Sequence, residues 1–188
     1  MKQRGQVIWI TGLSGAGKST LAARVVHALQ VDRQTVIYLD GDELRAVLVP
    51  QNQSDQAMDR VSRLSLAQQY AALCRLLANQ GLTVVIATIS MFQEVHAWNR
   101  ANIPNYVEVF LRVPLRVLRD RDPKGIYQAF DQGELASVAG LDLEVDDPAD
   151  PDIVIDNYGT TSTWDAERAV LGFLGISSAG DSMKGQHR

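Results

Sequence analysis

The chain has 188 residues, 46% hydrophobic and 21% charged, with a formal net charge of −4. That length and balance suit one soluble domain with a substantial core, and the negative charge argues against general nucleic-acid affinity while leaving room for a local cationic nucleotide site. A single cysteine excludes a disulfide or multi-cysteine metal framework; the absence of a bilayer-length apolar run, and a start that enters the first strand directly after Met1 to Gly5, set the expectation of a cytoplasmic protein with no membrane partner.

Gln6 to Ile10 is an apolar, strand-like run that leads into Gly12-Leu13-Ser14-Gly15-Ala16-Gly17-Lys18-Ser19-Thr20, a match to GxxxxGK[ST], and Lys18 to Leu29 follows with helical character. Glycines let successive backbone N–H groups turn inward around a phosphate, and the helix N-terminus adds partial positive charge. Lys18 reaches the outer phosphates and the Ser19 hydroxyl can ligate Mg²⁺. Strand, loop and helix in that order point to a nucleoside triphosphate, without saying what is done with it.

Thr35 to Leu39 reads as the second strand and ends in Asp40-Gly41-Asp42. A carboxylate there can hold Mg²⁺ through water or accept the proton of an attacking hydroxyl. Taken alone, the tripeptide reads as an Asp-Gly turn in which Asp42 caps a helix starting at Glu43. Beside a phosphate loop, Asp40 and Asp42 become the candidate metal-side acids, because the third strand, Thr83 to Ile89, runs into Thr88-Ile89-Ser90 with no acid. Arg45, one helical step after Asp42, suits either an anionic acceptor or solvent. A long helix is expected over Asp55 to Asn79, with Arg60 and Arg63 on one face and Leu64, Leu66, Leu73, Leu76 and Leu77 packing. One of those arginines is a substrate candidate, and Cys74 reads as a buried structural thiol.

Phe92 to Ala101 reads as a helix, with His96 and Trp98 as surface or packing residues, and Tyr106 to Val113 as the fourth strand. The segment from Arg112 to Gly125 holds five of the 18 basic residues. Within it the helix Leu115 to Arg121 ends in basic charge before Pro123-Lys124-Gly125, which reads as the base of a lid that closes over phosphates and excludes water; Arg116 simply matches the helix dipole. A fifth strand over Asp152 to Ile155 and a helix over Ser162 to Leu174 complete the alternation. The expected fold is therefore α/β: a doubly wound, parallel, five-stranded sheet with flanking helices and a lid. One domain of this kind would span residues 1–176, followed by a flexible tail over 177–188. Ligands bind beyond the carboxyl ends of such strands.

Together these residues resemble the adenylylsulfate kinases, P-loop enzymes that use Mg-ATP to phosphorylate the ribose 3′-hydroxyl of adenosine 5′-phosphosulfate. The similarity runs from about residue 6 to about residue 157 and rests on five ordered pieces. They are Gly12 to Thr20, Leu39 to Asp42 with Arg45, Ile89-Ser90 with Phe92, Arg121 to Tyr127, and Pro151 to Val154. The resemblance implies ATP and Mg²⁺ as cofactors, a small nucleotide as acceptor and a homodimer. It assigns Asp40 and Asp42 to Mg²⁺ and the acceptor hydroxyl. Arg45, Arg63, Ile89 and Ser90 would hold the acceptor, Lys124 and Gly125 would reach it from the lid, and Arg121 would lie against the ATP base. Ser90 also matches a phosphoserine position of the family, although direct transfer needs none and a pocket role comes first.

Departures from the family pattern fall on the acceptor side. Counting back from Gly81 puts Arg63 on the family arginine but Leu66 where an asparagine stands and Gln68-Gln69 where two arginines stand. The approach Gln51-Asn52-Gln53-Ser54 lacks an aromatic residue, and Val138 replaces the phenylalanine that packs on the acceptor's adenine in the family. Trp98-Asn99-Arg100 and Val138 to Asp142 are similar to divergent members from capsule-modification pathways, at least one of which phosphorylates a cytidine diphosphoramidate. Adenosine 5′-phosphosulfate is thus the first expectation for the acceptor and such a related nucleotide the alternative. An ATP-binding module without turnover is the reading from a different class. A GTPase switch does not fit, because no Asn-Lys-x-Asp motif is present.

Overall fold

The computed structural model describes residues 5–49 and 58–176. Continuous apolar runs form strands β1 (Gln6–Thr11), β2 (Val36–Asp40), β3 (Thr83–Ala87), β4 (Tyr106–Arg112) and β5 (Ile153–Asp156). All pairings are parallel and the order is β2-β3-β1-β4-β5. Around the sheet lie helices α1 (Lys18–Val31), α2 (Gly41–Leu48), α3 (Arg60–Asn79), α4 (Gln93–Asn102), α5 (Leu115–Arg121), α6 (Ile126–Asp131) and α7 (Thr163–Phe173).

Alternation along β1 explains why the whole run is apolar. Ile8 and Ile10 pack with Leu21, Val25 and Leu29 of α1 and Val170 of α7, while Val7 and Trp9 pack with Ala67, Tyr70 and Cys74 of α3. Both faces of the central strand are covered, so Val7 to Ile10 have no exposure at all. The chain leaves β1 for β2 at one edge and later leaves β3 for β4 across β1, which puts the topological switch point between β1 and β3. Sheets of this kind leave a ligand crevice there.

One buried polar cluster joins α4 to the sheet. Glu108 in β4 accepts hydrogen bonds from the Tyr106 hydroxyl at 2.7 Å, pairs with His96 and lies near Arg100, whose guanidinium also donates to Asp152 at 2.8 Å. Burial, reinforced by the Glu108 charge, pushes the Tyr106 phenol well above its ordinary value, so it stays a donor. His96 is accordingly a packing residue, as its place in the sequence suggests. Cys74 is fully buried, and its thiol is pushed up to about 12 by that burial, which leaves it an inert core residue.

Several expected boundaries shift for local reasons. The long helix starts at Arg60 within the described residues, with the Asp59 carboxylate accepting from Ser62 N at 2.8 Å. Its expected first turn from Asp55 falls partly in residues 50–57, outside the described ones, as do Gln51 to Ser54 and the tail from Ser177. Asp42 does not cap α2: Asp40 does, accepting from Asp42 N at 2.9 Å, because the helix starts two residues earlier, at Gly41. Helix α6 was absent from the periodic pattern. It forms because Asp122 accepts from the backbone N–H groups of Tyr127 and Gln128, with Gly125 in the left-handed region before it. No helix among the described residues is long and apolar enough to cross a membrane.

Helix α7 carries a capping box: Ser162 Oγ accepts from Asp165 N at 3.2 Å and Asp165 Oδ2 accepts from Ser162 N at 3.0 Å. Ser162→Ala leaves the Asp165 N–H without its side-chain acceptor and should lower stability by about 1 kcal/mol. The shift in the urea unfolding midpoint at unchanged slope checks it.

Candidate active site

The loop after β1 turns through glycines because its neighbours leave no room for side chains. Gly12 has φ 144°, and a Cβ there would lie 2.6 Å from the Leu111 carbonyl oxygen; Gly17 has φ 95°, and its Cβ would lie 2.7 Å from Asn157 Nδ2. No side chain caps α1, so the first backbone N–H groups of that helix stay open to an anion. Lys18 folds back along the loop and donates to the Leu13 carbonyl at 2.8 Å. Its ammonium is lowered to about 8, first by burial and then by the charge of Lys124, with Asp42 and Asp40 pulling the other way.

Beside the loop, β2 delivers two carboxylates with different surroundings. Asp40 Oδ2 accepts from Ser19 Oγ at 2.7 Å and from the Tyr38 hydroxyl at 3.1 Å, while Oδ1 caps α2. Burial alone would raise the Asp40 carboxyl, but those hydrogen bonds outweigh it and hold it below its ordinary value. Asp42 is exposed and pairs with Arg45 at 3.2 Å and with the lid's Lys124 from across the cleft. Ser19 and Asp40 thus set two hard oxygen ligands side by side. Among the described residues no group of three or more His, Cys, Asp or Glu could hold a metal by itself, so a cation here would need water or ligand oxygens to complete its shell, the usual state of Mg²⁺.

The opposite wall comes from α3, the segment after β3 and the loop before β5. Arg60 and Arg63, expected to share a face, diverge. Arg60 pairs with Asp146 at 3.0 Å and lies 5.2 Å over the Phe92 ring, whereas Arg63 enters the cleft, donating to the Met58 carbonyl at 3.0 Å and the Ser137 carbonyl at 2.6 Å. Burial, followed by the charge of Arg45, lowers the Arg63 guanidinium. Ser90 has φ 32°, a strained value for a residue with a side chain, and its hydroxyl bonds that of Thr88 at 2.7 Å. Thr11 donates to the neighbouring Ile89 carbonyl, and this tie to β1 anchors the segment.

A cleft of about 970 Å³ brings most of the expected residues together. Ser14, Gly15, Gly17, Lys18, Ser19 and Thr20 line it, with Asp40, Asp42, Arg45, Arg63, Ile89, Ser90, Arg121 and Lys124. Gly12, Leu13, Ala16 and Gly125 do not line it. Gly12 and Ala16 are buried behind the loop, Leu13 packs against Gly140, and Gly125 starts α6. Leu66, Val138 and Met58 form an apolar stretch of the far wall. Sequence reasoning missed Tyr38 and Tyr70. Tyr38 stands two residues before Asp40, so strand alternation puts both on one face and could have found it. Tyr70, whose hydroxyl donates to the Gly41 carbonyl at 2.9 Å, reads in sequence only as an apolar position of α3.

Residues 4–156 match the family model described as adenylylsulphate kinase. A cytidine diphosphoramidate kinase of Campylobacter jejuni is 38% identical over 157 residues, spanning 84% of this chain and 89% of that protein. An adenylyl-sulfate kinase of Pseudomonas aeruginosa is also 38% identical over 157 residues, spanning 82% and 78%. Among solved structures, the Mycobacterium tuberculosis APS kinase CysC in complex with AMPPNP and APS superposes with a TM-score of 0.80 at 31% identity, covering 92% of this chain and 99% of that one.

Lys18 loses its charge as pH rises through about 8, so its attraction for an anion is present below that pH and lost above it. Sulfate, whose own charge is constant across this range, should bind less tightly as pH rises from 7 to 9 (roughly one unit on either side of that value). The Lys18→Met variant should show a weaker and flatter profile in a chemical-shift titration.

Proposed function

The chain belongs to the adenylylsulphate kinase family, and we propose that it transfers the γ-phosphoryl group of ATP to the ribose 3′-hydroxyl of a nucleotide bearing an activated 5′ phosphate. The observation that carries this reading is one cleft in which a phosphate loop with Lys18, the Ser19 and Asp40 pair, and the Asp42 and Lys124 bridge all meet. The loop amides and Lys18 hold the charge of the donor phosphates, and Arg121 lies at the donor side. Ser19 and Asp40 would hold Mg²⁺, which when bound neutralises phosphate charge during transfer. Asp40 is already engaged by three donors, whereas Asp42 is exposed beside two cations. That contrast supports Asp42 as the group that orients the acceptor hydroxyl and takes its proton. Arg45, Arg63 and Lys124 neutralise the acceptor's phosphate, and Ile89, Ser90 and Gly125 shape its pocket and lid. The Thr88 partner of the Ser90 hydroxyl supports a pocket role over a phosphoserine intermediate.

For the acceptor, the family resemblance favours adenosine 5′-phosphosulfate, giving 3′-phosphoadenylyl sulfate. A second reading, a cytidine diphosphoramidate, is favoured by one feature of the wall: it is aliphatic at Val138 and Leu66, and its two rings are already engaged, Tyr70 through its hydroxyl with the Gly41 carbonyl and Phe92 under Arg60. Stacking on an aromatic is worth about 1–3 kcal/mol per base. Its loss weakens the hold on a purine more than shape alone suggests.

Turnover with Mg-ATP and each acceptor, measured side by side, tests both statements. Release of ADP only when one of the acceptors is added is the expected result, and no acceptor-dependent ADP with either one overturns the kinase reading. Lys18→Ala should lower kcat by about 10²–10³. Val138→Phe should raise kcat/KM for adenosine 5′-phosphosulfate about tenfold by restoring a stacking surface. An unchanged value would remove the wall from the specificity argument.

A further inference from the structure

Two carbonyl groups of the glycine loop are held from outside the cleft. Asn157, the residue after β5, donates from Nδ2 to the Ala16 carbonyl at 2.8 Å. Tyr127, almost fully buried in the lid helix α6, donates from its hydroxyl to the Ser14 carbonyl at 2.9 Å. In a trans peptide unit the C=O and the following N–H point in opposite directions. Every peptide bond described in this chain is trans, so pinning the Ala16 and Ser14 carbonyls turns the Gly17 and Gly15 N–H groups away from Asn157 and Tyr127. Gly15 and Gly17 line the cleft; Asn157 and Tyr127 do not. Both glycines sit in the left-handed region, φ 76° and 95°, as an anion-binding nest requires.

Asn157 is itself held on two other sides. Its N–H donates to the Arg112 carbonyl at 3.2 Å, extending the ladder between β4 and β5, and its carbonyl accepts from Arg121 at 2.8 Å. Gly17 meets it so closely that any Cβ would collide with Nδ2. Tyr127 is fixed by its N–H to Asp122 at the end of α5. The lid and the loop are therefore tied through two residues that no phosphate-loop motif contains.

We infer that Asn157 and Tyr127 are positioning residues that hold the Gly17 and Gly15 amides in their phosphate-binding orientation before the donor arrives. This rests on the reading that the loop binds the donor's phosphates. Ligand binding then costs less ordering of the backbone than a free glycine loop would require. Arg121 bonds the same residue, so the donor-side arginine and the cradle share one anchor.

The test uses the full chain and compares Asn157→Ala, Asn157→Asp and Tyr127→Phe with wild type. Affinity for AMPPNP by calorimetry, KM for ATP and for the acceptor, and melting temperature are measured on each. A hydrogen bond of this kind predicts about five- to tenfold weaker AMPPNP binding and a similar rise in KM for ATP, with KM for the acceptor changed less than about twofold. Asn157→Asp should do at least as badly as Asn157→Ala, since a carboxylate repels the Ala16 carbonyl although it matches asparagine in size. AMPPNP affinity within about twofold of wild type in these variants, with or without a lower melting temperature, overturns the inference. Tyr127→Phe removes one oxygen and keeps the ring, so it decides the matter if the Asn157 variants fail to fold. Lys18→Ala run in parallel separates the two levels: if it too binds AMPPNP like wild type, the donor-site reading itself falls.

Discussion

The burial of β1 on both faces is the constraint from which the cleft follows. Val7 to Ile10 are inaccessible, clamped between α1 with α7 on one side and α3 with α4 on the other. A strand held that way delivers its carboxyl end to a fixed point, and a glycine loop attached there inherits the precision of the core. Thr11 extends the same rigidity to the segment after β3 by bonding the Ile89 carbonyl. Loop, Asp40 and Ser90 segment are consequently three ends of one slab.

Charge is distributed over that slab so that the cations remain available. The chain is net acidic, yet Lys18, Arg45, Arg63, Arg121 and Lys124 converge on a single cleft. The ion pair between Asp42 and Lys124 spans it, with each side chain about half exposed. Exposed pairs are worth about 0–1 kcal/mol. A phosphate can therefore displace one at little cost, which suits a lid lysine that must change partners. Asp40, shielded and held by three donors, has no such freedom.

Much of this was legible because its determinants are local. Continuous apolar runs located the strands to within two residues, and the loop motif marked the donor side. The Asp40-Gly41-Asp42 turn was readable as a site, but not which aspartate caps the helix, since both lie within reach of the same amides. The separate fates of Arg60 and Arg63 were also out of reach. Helical spacing puts them on one face, and what parts them is the loop that α3 meets: Asp146 draws one, and the Ser137 carbonyl receives the other. Helix α6 escaped notice because a side chain of the preceding turn, Asp122, builds it in place of an apolar stripe.

By itself the sequence determined the order of the strands and of the helices other than α6, the place of the phosphate loop and the acids beside it, because periodicity and motif spacing act within a few residues of chain. Tertiary structure alone decided which groups face one another across the cleft. Lys124 meets Asp42 over 82 residues, Arg63 meets Ser137 over 74, and Asn157 braces Ala16 over 141. Such contacts depend on how a parallel sheet brings the ends of distant strands to one edge, and that edge exists only once both of its faces are buried.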